Sequence, residues 1–193
     1  MAKTIAKSGY SGTQELSVNS LNAENGKLFL TGPVDSESAA SLISSMIYLA
    51  DESTNITLYL DTPGGEVNAG LALVDAIELL GQRVNIDIVC LGKAYSMGSI
   101  ILACGRKGHR FLFPHASVMI HEPLIAQGAG GSASTIQSVA ESLMGTRDKL
   151  SRLLSVYTGR SVEEINNDIL RDRYFNAEQA IEYGLADNIV TSL

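Results

Sequence analysis

The chain has 193 residues, 45% hydrophobic and 18% charged, which is the composition of one ordinary globular domain and excludes a disordered or low-complexity chain. Its 14 basic and 21 acidic residues leave a net charge of −7, which argues against phosphate-backbone binding and so against nucleic acid as the main partner. Two cysteines, Cys90 and Cys104, cannot staple a scaffold of this length and read as reduced, buried thiols, while 18 glycines exceed the usual share.

Residues 1–26 are polar and show no sustained period, so they read as an arm that is flexible or ordered only by neighbours. No secretory apolar core is visible there, and no apolar run approaches the ~20 residues of a membrane span, so a soluble, cytoplasmic protein is expected. Structure is expected to begin at Lys27-Leu28-Phe29-Leu30, a strand stopped by Thr31-Gly32-Pro33. Asp35 or Ser36 then caps a helix with Ala40, Leu42, Ile43, Met46, Ile47 and Ala50 at helical spacing. A second strand over 56–60 ends at Asp61-Thr62-Pro63-Gly64-Gly65, and a helix over 67–80 follows with Leu71, Val74, Ile77 and Leu80 on one face. A third strand over 84–91 leads through Gly92 to Gly98 into a short apolar helix. Three strand–helix alternations predict a mainly parallel sheet covered by helices, whose ligands bind where strands give way to helices.

The second half differs. Short strands at 111–113 and 117–120 flank Pro114, and the glycine-rich stretch 124–134 precedes a long helical pattern over 132–157, closed by Gly159. A helix of that length on a small domain needs something else to pack on. Ser161-Val162-Glu163-Glu164 and Asn176-Ala177-Glu178-Gln179 have the pattern of capping boxes opening two short helices.

Three residues stand out chemically. Ser96 lies where a buried strand becomes a helix, among small neighbours, so its hydroxyl is exposed on a tight turn; as a local feature it also reads, more commonly, as the cap of the helix at Met97. The sequence around it is not Gly-x-Ser-x-Gly. His121 ends an apolar strand before Glu122-Pro123 and is placed to act as a general base, though a single histidine is more often a surface group. His109, in a charged run, reads as solvated, and His115 as a turn residue. Asp172 sits between Arg171 and Arg173, where a structural ion pair is the simpler local reading. Neither the histidines nor the cysteines have metal-ligand spacing, so no metal is expected.

Taken together, the ordered blocks Phe29-Leu30-Thr31-Gly32-Pro33-Val34, Tyr59 to Gly65, Ala69-Gly70-Leu71-Ala72, Gly92 to Gly98, Val118-Met119-Ile120-His121, Thr158-Gly159, Arg171-Asp172-Arg173 and Ala177 to Asp187 resemble ClpP, the proteolytic subunit family of the Clp proteases, over roughly residues 27–191. The resemblance implies an α/β fold of the ClpP/crotonase-like type, a repeated β-β-α superhelix with a protruding long-helix handle. It divides the chain into an N-terminal pore or arm segment, 1–26, and a single protease domain, 27–193, with the handle at about 124–158. It implies a serine endopeptidase in which Ser96 is the nucleophile, His121 the base, Asp172 the orienting acid, and the backbone N–H groups of Gly65 and Met97 the oxyanion hole. Leu124 and Ile125, in the handle, would bind substrate as an added β-strand. Heptameric rings stacked to fourteen subunits, a Clp-type AAA+ ATPase partner and unfolded polypeptide substrates are implied as well, with no cofactor in this chain and no nucleic acid or membrane.

The sequence departs from the family in four places. The stretch before the first strand lacks an evident helix-forming segment. Thr57 and Leu79 replace aromatics expected for ATPase docking, and Leu170 stands where an acidic residue is common. About two extra residues lie near 81–87 and two more near 128–131. These departures motivate an alternative, a poorly active structural or regulatory ring subunit of a mixed complex. Acyl-CoA chemistry of the crotonase type is a further rival that the Ser/His/Asp set speaks against.

Overall fold

The computed structural model describes residues 4–9, 12–125 and 130–191. An antiparallel hairpin of β1 (Thr4–Gly9) and β2 (Gly12–Ser17) comes first. It is followed by α1 (Val18–Glu24), whose N-terminus is capped by Ser17 through the Ser20 N–H at 3.0 Å. A helix therefore does precede the first sheet strand, against the expectation that ordered structure starts at Lys27. The polar pattern concealed it because α1 buries no residue fully and is held by its cap and by Ala23 against the core.

The main sheet is built from β3 (Lys27–Thr31), β4 (Ile56–Thr62) and β5 (Ile86–Tyr95), paired in parallel, with α2 (Ser36–Asp51) and α3 (Val67–Leu80) as the crossovers. Alternation explains the strands: in β3 and β4 every second residue is buried, so Leu28, Leu30, Leu58 and Leu60 face the helices. Asp35 is the residue that caps α2, in a reciprocal box with Ser38. The buried face of α2 is Ala39, Leu42, Met46, Leu49 and Ala50, so it is turned relative to the expected one and leaves Ile47 exposed. In α3 it is Leu73 rather than Leu71 that is fully buried.

β5 is longer than the sequence pattern suggested and runs through Gly92 to Tyr95, so Gly92 lies inside a strand and not in the turn. This length lets β5 serve two branches. Ile88 to Cys90 pair with β6 (Arg110–Leu112), which continues to β9 (Asn188–Ile189). Lys93 to Tyr95 pair with β7 (Ser117–Ile120), which continues antiparallel to β8 (Arg173–Phe175). Between β5 and β6 lies α4 (Met97–Ala103), fully buried along its length. The chain thus forms the mixed α/β architecture anticipated for the ClpP-like fold, with seven helices among the described residues.

The long helix α5 (Ala133–Thr158) ends at Gly159 with a left-handed backbone, as the sequence indicated. Of its 26 residues only Leu150, Ser151 and Leu154 are buried, so its first half stands away from the domain. α6 (Val162–Asp168) and α7 (Ala177–Tyr183) both open with full capping boxes. Of the stretch 128–131, where about two extra residues are expected, residues 128 and 129 lie outside the described residues; 121–125 adopt no strand pairing.

One buried charge ties the far side together. Arg110 donates to Asp187 through Nε (2.9 Å) and Nη2 (2.6 Å), and through Nη1 to the carbonyls of Ala103, Tyr157 and Gly184. All the elements around it, α4, α5, α7 and β9, are thereby referred to one guanidinium.

Candidate active site

Strand register assembles the site. β5 and β7 pair with Tyr95 opposite Met119, and β7 and β8 with Ile120 opposite Arg173. Carrying each pairing one residue further sets Ser96 beside the end of β7, and His121 opposite Asp172. The side chains meet there: Ser96 Oγ lies 2.8 Å from His121 Nε2, and His121 Nδ1 lies 3.2 Å from Asp172 Oδ1. Three residues far apart in the chain form one line.

Ser96 has φ 53° and ψ −121°, and it is one of only two non-glycine residues with positive φ among the described residues. Such a conformation costs on the order of 1–3 kcal/mol and persists only where the surroundings enforce it. Three bonds do so. The Ser96 N–H donates to the Met119 carbonyl at 2.8 Å, and the Ser96 carbonyl accepts from both the N–H (3.0 Å) and the hydroxyl (2.6 Å) of buried Ser99. The result is a strained strand-to-helix turn that presents a serine hydroxyl outward, the geometry of a nucleophile elbow without its sequence signature. The helix-cap reading fails on the same ground, because the Ser96 hydroxyl makes no cap bond and is turned to His121.

The Gly64-Gly65 turn packs onto this elbow. Gly64 has φ 89°, and a Cβ there would stand 2.6 Å from the Tyr95 carbonyl oxygen, 2.8 Å from Ser96 Cβ and 2.9 Å from the Met97 nitrogen. A Cβ at Gly65 would collide with the carbonyl of Val34. The need for glycine at 65 therefore comes from a backbone neighbour as well as from access to the site. Val34 straps the turn, donating to the Gly64 carbonyl at 2.9 Å and accepting from the Glu66 N–H at 2.8 Å, bonds that leave the Gly65 N–H out. Met97 opens α4, so its N–H has no acceptor within the helix. Its buried side chain lies against Gly70, where a Cβ would clash with the thioether.

Asp172 does not pair with its neighbouring arginines. Arg173 instead bonds Asp168, which also accepts from the Tyr183 hydroxyl at 2.6 Å. This frees the Asp172 carboxylate for His121, with the Tyr174 hydroxyl 3.5 Å from its other oxygen. Partial loss of hydration, followed by the Asp172 charge, raises the Tyr174 hydroxyl above its usual pKa. Tyr174 also meets Tyr95 edge-on, with ring centroids 5.5 Å apart. His121 is held from behind, since the Glu122 N–H donates to the Ile169 carbonyl at 2.9 Å and Glu122 pairs with Arg147 of α5 at 3.2 Å.

The other histidines lie elsewhere. His109 is partly exposed, and it is also paired: Arg106 donates to its Nε2 at 2.8 Å, so Nδ1 carries the proton and donates to Asp87 at 2.7 Å. His115 is exposed in a turn. Cys90 and Cys104 are free and buried; burial, then the Asp61 charge, pushes the Cys90 thiol up to about 12. Among the described residues no three His, Cys, Asp or Glu side chains gather in a metal-holding group, and no helix is long and apolar enough to cross a membrane.

Sequence reasoning missed the supports. Ser99 and Thr62 are both buried, the latter accepting from the Gly64 N–H at 3.0 Å, and nothing in their local pattern marks them. Arg110 belongs to a run that looked solvated. Leu124 and Ile125 are exposed on the wall of a cleft of about 490 Å³ that runs from the Gly65 turn to Val139 and Leu143 of α5.

A serine on a strained turn, hydrogen-bonded to an imidazole that meets a carboxylate, is the constellation used by Ser/His/Asp hydrolases on several unrelated folds. The family model of the Clp protease matches residues 11–193, nearly the whole sequence, and the chain belongs to that family. It is a hydrolase of the peptidase class, a Clp-type serine protease.

Proposed function

We propose that Ser96, His121 and Asp172 form the catalytic triad of an endopeptidase acting on unfolded polypeptide. The carrying observation is the 2.8 Å contact between Ser96 Oγ and His121 Nε2 at a turn whose strain has no role in capping its helix. With the Nδ1 proton donated to Asp172, Nε2 accepts the Ser96 proton as Oγ attacks the substrate carbonyl. The oxyanion is stabilised by the N–H groups of Gly65 and Met97. His121 then protonates the leaving amine, and an attacking water, deprotonated by His121, releases the acid and restores Ser96. No step calls on a metal or cofactor of this chain.

Ser96→Ala is expected to lower cleavage of short fluorogenic peptides by at least about 10⁴-fold with unchanged circular dichroism. Retained activity in that folded variant overturns the assignment.

Assembly belongs to the same proposal. The largely uncovered first half of α5 supports a contact with another subunit; with the family membership we read that contact as part of interlocking rings of seven, stacked to fourteen, with residues 1–26 as the pore segment. A groove of about 370 Å³ lined by Thr57, Tyr59, Val89, Phe111 and Ile189 supports docking of a Clp-type AAA+ ATPase, which would spend the ATP. Thr57 replaces one aromatic there, but Tyr59 and Phe111 supply others. Free, reduced thiols are in keeping with a cytoplasmic setting. The alternative of a poorly active ring subunit draws on exposed Leu170. The alignment of all three side chains within one chain favours the active enzyme.

A further inference from the structure

The cleft that begins at Glu66, next in sequence to Gly65, has mixed walls. Val67, Pro123, Leu124, Ile125 and Leu143 give it aliphatic surface and Asn68, Ser142 and Thr146 neutral polar groups, while Glu66 contributes its one charge; among the described residues, no basic side chain lines it. Glu66 directly follows Gly65, so this residue links the cleft to the proposed oxyanion donor along the chain. Although it occupies the N-cap position of α3, its side chain makes no cap bond. Instead Oε2 accepts from the Ser36 hydroxyl at 3.1 Å, which fixes the carboxylate without neutralising it. Arg147, next in sequence to the lining residue Thr146, is engaged by Glu122 and by the Asn166 carbonyl. An anchored carboxylate with no basic partner in a cleft that also has aliphatic surface fits one kind of side chain, a methylene stem with a cationic end.

Resting on the triad reading above, we propose that Glu66 is a specificity-determining residue. The cleft takes the side chain of the residue that supplies the scissile carbonyl, and Glu66 makes it accept lysine or arginine in addition to apolar chains. The reaction itself is unchanged.

The test compares kcat/KM for peptides that differ only at that residue: arginine, its uncharged isostere citrulline, and leucine. The unmodified enzyme is expected to favour arginine over citrulline by about fivefold, the scale of one partly exposed ion pair, and to lose that preference in 0.5 M salt. Glu66→Gln should bring the arginine-to-citrulline ratio to near one, and Glu66→Lys should invert it. A helix-stabilising role for Glu66 would leave the ratio untouched. An arginine-to-citrulline ratio of one in the unmodified enzyme overturns the proposal, as does an unchanged ratio in Glu66→Gln that still reacts with a serine-directed phosphonate. Failure to cleave any of the three peptides, with no phosphonate labelling, would instead count against the triad reading.

Discussion

Ser99 shows how much of the site rests on residues that never touch substrate. Its hydroxyl and N–H both bond the Ser96 carbonyl, at 2.6 and 3.0 Å, and so hold the residue on which the strain falls. Ser99→Ala is expected to lower kcat about tenfold while KM stays within about twofold, because the nucleophile loses alignment and substrate contacts do not change. Steady-state kinetics on a short peptide measures the split, and Ser99→Thr should restore part of the loss. From the sequence, Ser96 and His121 could be singled out at the ends of apolar strands and Asp172 between two arginines, each with a plainer local reading, and only the family blocks grouped them. What joins them is strand register, Tyr95 with Met119 and Ile120 with Arg173, and register between distant segments leaves no mark in local pattern.

Among the elements, the regular ones were the most legible. The alternating β4 and the capping boxes of α6 and α7 follow from residue types at fixed spacing. Two kinds of feature escaped. α1 has too few apolar residues to show a period, and β5 runs on through Gly92, where a glycine suggested a turn. Arg110 escaped as well, because its charge reads as exposed when its four partner residues lie at 103, 157, 184 and 187. Removing one member of such a buried pair typically costs ~3–5 kcal/mol, so Arg110→Met and Asp187→Asn should each lower the urea midpoint strongly, and the double variant by less than their sum. Burial opposes the charge on Asp187, but its bonds to Arg110 outweigh that and hold the carboxyl below its usual range. A depressed folded-state pKa means this stabilisation is complete above the unfolded value of ~3.9 and is lost as pH falls through the folded value. Urea titrations from pH 6 to pH 3 should therefore show a steeper loss in the unmodified protein than in Asp187→Asn.

For the whole molecule, the distribution of apolar surface is the informative quantity. Ile136, Met144 and Val156 are exposed on α5, a helix whose own domain covers only its C-terminal half. Isolated exposed apolar residues are ordinary, but Ile136 and Met144 stand on the part of α5 that its own domain leaves uncovered, which favours a contact surface there. On the assembly proposed above, placing a charge on this uncovered part of α5, as in Met144→Asp, is expected to shift sedimentation from stacked rings toward single rings or smaller species, with the domain still folded. An unchanged sedimentation profile would remove α5 from the ring contact.

The fork in β5 has a consequence for the order in which the protein matures. β3, β4 and β5 are joined by local helical crossovers, so this unit can form early, and the Ser96 turn follows once nearby β7 supplies the Met119 carbonyl. The β7–β8 pairing must wait for the chain to close a loop that contains all of α5 and α6, and only that pairing brings Asp172 to His121. A half-made chain therefore holds the serine and the imidazole without the carboxylate that orients them. On the triad reading, the newly synthesised protein is expected to stay poorly active until β8 is laid down.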